Sequence, residues 1–295
     1  MAKTTAKTTA TKAPAAAKKA PAKKAAAQKA PAAKTAKREF APARPQTMKK
    51  AVMHYCPGCG HSIIHRLVAE VLQEKGLAHK TIGVPPAGCA VLAYFYFDVD
   101  MVEAAHGRGC ATATGVKRAL PTATVFTYQG DGDLAAIGTA ELVHAANRGE
   151  KITVIFVNNA VYGMTGGQMA PTTMLGQKTT TSPFGRRAEF EGHPIKVCEL
   201  LSGLGGTAYL ERTKLNSPRD IKRTKKAIAK AFDVQEAGLG FSLIEILSAC
   251  PTNWKMSPVQ SWDYIENAMS KVFVPGVYKD VTAKKDDEEG GEDAD

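Results

Sequence analysis

The stretch from Thr122 to Asn159 constrains this chain of 295 residues more than any other. A β-rich apolar run, Thr122–Tyr128, opens into Gln129-Gly130-Asp131-Gly132-Asp133. A helix is predicted over Leu134–Asn147, closed by Gly149, and a second apolar run, Ile152–Val157, ends in Asn158-Asn159. Strand, helix and strand in that order make a βαβ unit, and unbroken apolar strands belong to parallel sheets covered on both faces. The alternation continues elsewhere. Ile63, Ile64, Leu67, Val68, Val71 and Leu72 give Ser62–Lys75 the spacing of an amphipathic helix that stops at Gly76. Thr81–Val84 reads as a strand, Ala111–Leu120 as a helix, Ser217-Pro218 as a helix start and Phe241–Leu247 as a last strand. The expected fold class is α/β, an open, mostly parallel sheet flanked by helices.

Each part of the central stretch has a chemical use. Gly130 and Gly132 let backbone approach a bulky anion. Asp131 is a hard carboxylate suited to Mg²⁺, which takes oxygen ligands and is commonly shared with phosphates. Asn159 adds an amide oxygen from the end of the neighbouring strand, and the helix start after Asp133 favours negative charge. Both motif ends fall at the carboxyl edge of the sheet, where open α/β folds bind ligands. GDG, about 25 residues (133–157) and then NN resembles the thiamine-diphosphate motif. A dinucleotide site is disfavoured, because Gly203-Leu204-Gly205-Gly206 follows a predicted helix and not a strand. There is no Walker A or G-x-S-x-G element.

Six cysteines in a domain this large do not read as a secreted disulfide framework. Cys56-Pro-Gly-Cys59-Gly60-His61 precedes the first helix, Cys89 follows the first strand, and Cys250 follows the last. Four thiolates fit a [4Fe–4S] cluster or zinc equally well by count. One close pair joined by two distant single cysteines suits a site assembled by the whole fold. Cys110 and Cys198 lie in apolar, helix-like surroundings and read as core residues.

Charge divides the chain into three parts. Ten Lys and two Arg against the single Glu39 give residues 1–47 the entire formal charge of +11. This Ala/Lys/Pro-rich basic tail cannot bury enough surface to offset its ordering entropy, so it is expected to be disordered. Residues 284–295 form an acidic tail with the same expectation. Residues 48–283 remain as one domain without a basic surplus comparable to that of residues 1–47 (residues 48–295 together sum to zero formal charge), which argues against a nucleic-acid-binding body even though the pI is near 9.3. Apolar runs such as Val91–Phe97 are too short to span a bilayer, and no signal-peptide pattern opens the chain. A reducing cytoplasm is the expected compartment.

Taken together, CPGCGH, GVPPAGC, HGRxxxxATG (His106–Gly115), GDGD, NNAVYGMTGGQ and PTT…KTTTSPFGR resemble the β subunit of 2-oxoacid:ferredoxin oxidoreductases, over about residues 50–275. The resemblance implies a thiamine-diphosphate- and iron–sulfur-binding subunit of the 2-oxoisovalerate or 2-oxoglutarate type. It assigns the [4Fe–4S] ligands to Cys56, Cys59, Cys89 and Cys250, and the Mg²⁺ ligands to Asp131, Asn159 and the Val161 carbonyl. It puts Cys59, Gly60, His61, Gly130, Asp131, Gly132, Asp133, Asn159, Val161, Tyr162, Gly163, Met164 and Thr165 beside the cofactor. It also gives His106 and Arg108 of the HGR turn a catalytic role, with a hydrogen-bonded loop histidine as the alternative for His106.

The implied reaction is CoA-dependent oxidative decarboxylation of a 2-oxoacid to an acyl-CoA and CO₂, with electrons leaving singly through the cluster to ferredoxin. The implied partner is an α subunit that supplies the activating glutamate, in a hetero-oligomer. Substrate choice stays open between 2-oxoglutarate, 2-oxoisovalerate and an aryl glyoxylate, with Arg186 or Lys178 as candidate cations and a solvated loop charge as the commoner role of such residues. The alternatives are a non-redox thiamine decarboxylase or synthase, and a basic-tailed nucleic-acid-binding protein. For ferredoxin, Lys222, Arg223, Lys225, Lys226 and Lys230 offer a steering face, a solvated helix surface being the other reading.

Overall fold

The structure, a computed structural model, describes residues 43–283. Its elements in order are α1 (His61–Glu74), β1 (Thr81–Val84), β2 (Asp100–Met101), α2 (Gly109–Ala119), β3 (Thr124–Gly130), α3 (Thr139–Asn147), β4 (Thr153–Asn158), α4 (Ala188–Glu191) and α5 (Val197–Ser202). They continue with β5 (Thr207–Lys214), α6 (Pro218–Glu236), β6 (Phe241–Leu247), α7 (Pro251–Trp254), α8 (Pro258–Tyr264), α9 (Ser270–Val272) and β7 (Gly276–Asp280). One sheet runs β2-β1-β3-β4-β6-β5-β7, parallel throughout except for β7, which pairs antiparallel with β5. The expected α/β class is the observed one.

The apolar strands are buried on both faces because successive side chains point to opposite sides. Phe126, Tyr128, Ile155, Val157, Ile244 and Ile246 pack with Ile64, Val68 and Phe232 of α1 and α6. Val125, Val154, Phe156 and Leu243 face Ala113, Leu142 and Cys198 of α2, α3 and α5. Cys110 is buried in the same second layer. A third cluster, with Ala160, Met174, Ile265, Met269 and Phe273, lies under the C-terminal helices.

Several elements depart from the sequence reading. The helix expected over Leu134–Asn147 is interrupted by a π-helical turn at Asp133–Ile137 and by Gly138 before α3. Its cause is a close approach: a Cβ on Gly138 would stand 2.7 Å from the Asp133 carbonyl and 2.8 Å from that of Gly107. Strand β5 was not foreseen, since Glu211, Arg212 and Lys214 disguise it. Arg212 is nevertheless fully buried, paired with Glu245 on β6 and Glu199 on α5.

Residues 43–47, which composition joins to the tail, pack on the body. Thr47 is buried and its hydroxyl donates to the Ala69 carbonyl at 2.6 Å. The expectations for residues 1–42 and 284–295 lie outside the described residues. Among the described residues no helix is long and apolar enough to cross a membrane.

Candidate functional site

Strands β1, β3, β4 and β6 are consecutive neighbours, so the loops leaving their carboxyl ends lie side by side. These loops carry Cys89, Asp131, Asn159 and Cys250 respectively. Residues far apart in sequence thus meet at one sheet edge, as open α/β sheets arrange their ligands.

A pocket of about 220 Å³ is lined by Gly130, Asp131, Gly132, Asp133, Asn159, Val161, Tyr162, Gly163, Met164 and Thr165, with His61, His106 and residues 87–90. Asp131 is 2% exposed. Its Oδ1 accepts from the Gly132 N–H at 2.8 Å and its Oδ2 from the Thr172 hydroxyl at 2.7 Å. Burial pushes its carboxyl up to about 6 despite these donors. A bound cation would favour the charged form, so the donor set of Asp131, the Asn159 amide and the Val161 carbonyl suits a hard divalent ion.

The backbone between the last two is strained to serve this. Ala160 has φ +57, an uncommon conformation for a residue with a Cβ. Asn158 Oδ1 accepts from its N–H at 3.2 Å, and the Thr173 hydroxyl donates to its carbonyl at 2.7 Å. Gly132 is required for a different reason. A Cβ there would stand 2.2 Å from Cε1 of Tyr162, whose ring lies over the GDG turn.

All four candidate cluster cysteines line a second cavity, of about 160 Å³. Cys59 and Cys250 are buried, Cys89 is half-buried and Cys56 exposed. A Cβ on Gly163 would stand 3.5 Å from Cys89 Sγ and 3.7 Å from Cys250 Sγ. The Asn253 amide donates to Cys250 Sγ at 3.2 Å. Burial pushes the Cys59 thiol up to about 12 and Cys89 up to about 11, and raises Cys250 as well. Burial favours their neutral forms, and metal coordination would reverse that preference. No group of three or more His, Cys, Asp or Glu among the described residues closes to hold one metal ion. Four sulfurs spread around a cavity suit a polynuclear cluster better than a single zinc.

The two cavities share His61, Cys89, Asn159, Gly163 and Met164 as a common wall. His61 is fully buried at its ring, with Nδ1 2.8 Å from the Tyr128 hydroxyl, and burial pushes its imidazole down to about 4.

Not every sequence candidate is brought into these cavities. Cys59 lines the cysteine cavity alone, and Gly60 lines neither. Gly60 instead lets the CPGC loop pack against Ser248, whose Oγ would stand 2.2 Å from a Cβ. Arg108 pairs with Glu141 and does not line the pocket. Arg186 is not a substrate cation: it is 6% exposed and donates to the carbonyls of Ala170, Pro171, Thr173, Glu191, Gly192 and His193, tying that loop together. Lys178 is exposed and lines neither cavity. On α6, Lys225 pairs with Glu70 and Glu74, Lys230 with Asp280 and Arg223 with Glu211, which leaves little of the expected steering face.

Thr172 and Asn253 went unnoticed as site residues. The only sequence signal for Asn253 is its place three residues after Cys250 in a Pro-started helical turn, which sets it above the sulfur.

Residues 88–246 match the family described as thiamine pyrophosphate enzyme, C-terminal TPP binding domain. The domain is thus of the thiamine-diphosphate-binding class. The ketoisovalerate oxidoreductase subunit VorA of Methanothermobacter thermautotrophicus is 47% identical over 231 residues, covering 78% of this chain and 48% of that protein. The 2-oxoglutarate synthase subunit KorB of Archaeoglobus fulgidus is 36% identical over 204 residues, covering 69% of this chain and 72% of that protein. A solved 2-oxoglutarate:ferredoxin oxidoreductase from Magnetococcus marinus, with 2-oxoglutarate, coenzyme A and succinyl-CoA bound, has a TM-score of 0.70 at 23% identity. That match covers 83% of this chain and 88% of the other, and is a likeness of fold. The chain belongs to the thiamine-diphosphate-binding subunits of the 2-oxoacid:ferredoxin oxidoreductase family. It spans about half the length of the VorA relatives it matches.

Proposed function

We propose that this chain, with an α subunit, performs CoA-dependent oxidative decarboxylation of a 2-oxoacid and passes the electrons singly to ferredoxin. The observation that carries the reading is the shared wall: a pocket suited to a metal-bound diphosphate adjoins a cavity ringed by four cysteines. A non-redox thiamine enzyme has no use for the second cavity.

In this reading Asp131, Asn159 and the Val161 carbonyl hold Mg²⁺, and Gly130, Gly132, Tyr162, Gly163, Met164 and Thr165 surround the diphosphate. Cys56, Cys59, Cys89 and Cys250 hold a [4Fe–4S] cluster. When bound, thiamine diphosphate supplies the carbanion and electron sink for decarboxylation, and the cluster supplies a one-electron acceptor. The chain's own side chains do the rest. Tyr162 covers the GDG turn, its ring packed against Gly132 on the pocket wall. Neutral His61 separates the cavities without adding charge. His106 is the half-exposed imidazole on the pocket wall, where a proton can be held for a substrate oxygen.

Among the described residues no Lys or Arg lines the pocket. This favours a 2-oxoacid with an apolar side chain, such as 2-oxoisovalerate, over 2-oxoglutarate.

The test is turnover of the anaerobically purified αβ complex with 2-oxoisovalerate, 2-oxoglutarate, pyruvate and phenylglyoxylate, using viologen as acceptor. Viologen reduction that requires CoA, fastest with 2-oxoisovalerate, is expected. Decarboxylation without viologen reduction, in protein lacking iron, would establish the non-redox alternative instead.

A further inference from the structure

We propose that Asp133, itself fixed by Gln129, is the positioning residue for His106, holding the imidazole so that Nδ1 donates to Asp133 and Nε2 is the nitrogen left for the pocket. The inference rests on the proposed function for its substrate but not for its geometry.

The GDGD motif alone suggests that Asp133 serves the diphosphate. The structure turns its carboxylate elsewhere. Asp133 is 3% exposed, and three groups converge on it. Oδ1 lies 2.5 Å from His106 Nδ1 and accepts from the Gly107 N–H at 2.7 Å, while Oδ2 accepts from Gln129 Nε2 at 2.6 Å. Asp131, two residues earlier, bonds to Gly132 and Thr172 instead, so the two aspartates of the motif serve different partners.

The donor roles can be followed back into the core. Gln129 is 1% exposed, and its Oε1 accepts from the Thr127 hydroxyl at 2.7 Å and the Cys110 thiol at 3.4 Å. These contacts turn the amide NH₂ toward Asp133. A Cβ on Gly109 would stand 2.8 Å from the Gln129 Cδ, so the start of α2 closes over the amide. With its other partners donating, the carboxylate takes a third donor from Nδ1–H of His106. The π-helical turn at Asp133–Ile137 sets the register: a Cβ on Gly107 would stand 2.6 Å from Cγ2 of Ile137, so the HGR turn rests directly on that turn. The interrupted helix is therefore what brings Asp133 beneath His106.

A buried carboxylate that fixes the tautomer and direction of a half-exposed imidazole is the arrangement that general acid–base work needs. His106 touches the reacting region, and Asp133 and Gln129 act through it.

The αβ complex carrying Asp133→Asn, His106→Gln or both decides the matter. Asp133→Asn is expected to keep iron content and thiamine diphosphate affinity within about twofold, leave KM within about threefold and lower kcat by about 10- to 100-fold. The double variant is expected to be no slower than His106→Gln alone. Multiplying losses, or a tenfold loss of cofactor affinity with kcat unchanged at saturation, would overturn the proposal. A second readout is independent of turnover. In ¹⁵N-histidine NMR of the complex, the His106 signal, assigned by its loss in His106→Gln, should report Nδ1–H with Nε2 bare in the neutral form. The Nε2–H tautomer in the unsubstituted protein would overturn the proposal. If no 2-oxoacid is oxidised, the functional reading falls and the tautomer still decides the positioning.

Discussion

Asn158 on β4 and Glu245 on β6 share a hydrogen bond of 2.8 Å from Nδ2 to Oε1, and neither side chain is exposed. Glu245 also meets Arg212 Nε at 2.9 Å, while Asn158 steadies the strained Ala160 from its other side. A buried ion pair in the sheet thereby braces the turn that presents Asn159 and Val161. Replacing Glu245 by Leu removes one partner of buried Arg212. A loss of about 3–5 kcal/mol is expected, since an uncompensated buried charge costs that much. Equilibrium denaturation of the complex measures it, and a change below about 1 kcal/mol would show that Glu199 alone suffices to hold the guanidinium.

Gly132→Ala should weaken thiamine diphosphate binding at least tenfold, because the new methyl group occupies the place of the Tyr162 ring. Combining it with Tyr162→Ala should restore part of the affinity. Titration of the cofactor against protein fluorescence reads both, and undiminished affinity in the single variant would refute the contact.

Cys89→Ala and Cys250→Ala are expected to lower the iron content of anaerobically purified protein far more than Cys198→Ala. The first two sulfurs border the cavity, whereas Cys198 is packed in the second core layer. Equal iron in all three variants would refute the ligand assignment.

Acid should destabilise the fold through His65. Burial holds its imidazole well below the usual value near 6.5, with neighbouring His61 adding to the effect. Its Nε2 lies 2.7 Å from the Tyr55 hydroxyl, its Nδ1 has no partner, and Tyr96, Phe97 and Tyr128 pack around the ring. The unfolded chain takes up a proton that the folded chain refuses. This contribution is therefore complete above pH 6.5 and is lost as pH falls below it, at up to about 1.4 kcal/mol per pH unit. Denaturation midpoints between pH 7.5 and 5 should fall less steeply in His65→Phe. An unchanged slope would exclude His65 as the source.

Much of the site was legible because its chemistry sits in contiguous motifs at strand ends. Thr81–Val84 and Phe241–Leu247 have the expected limits, and the GDG and NN turns both reach the pocket. Long-range partners were not legible. Nothing in TAYLERTK says that Arg212 lies in the sheet interior, because its charge is neutralised by residues 13 and 33 positions away. The role of Asp133 was hidden similarly: a continuous helix from Leu134 would not have revealed the π turn that sets its carboxylate against His106. Arg186 reads as a candidate substrate cation or a solvated loop charge, and is neither, because a sequence records its charge but not the six carbonyls around it.

The wall common to the two cavities has a consequence for how the protein is built up and how it can vary. Asn159 and Gly163 border both spaces, so neither can change for the benefit of one occupant alone. A Cβ added at Gly163 would already be in contact with two sulfurs and the Asn159 amide, at 3.5, 3.7 and 3.8 Å, so a longer side chain would have to find room beside all three. Variants that place a bulky side chain there should lose iron and thiamine diphosphate in parallel, making metal assembly and cofactor loading a single inherited trait of this sheet edge.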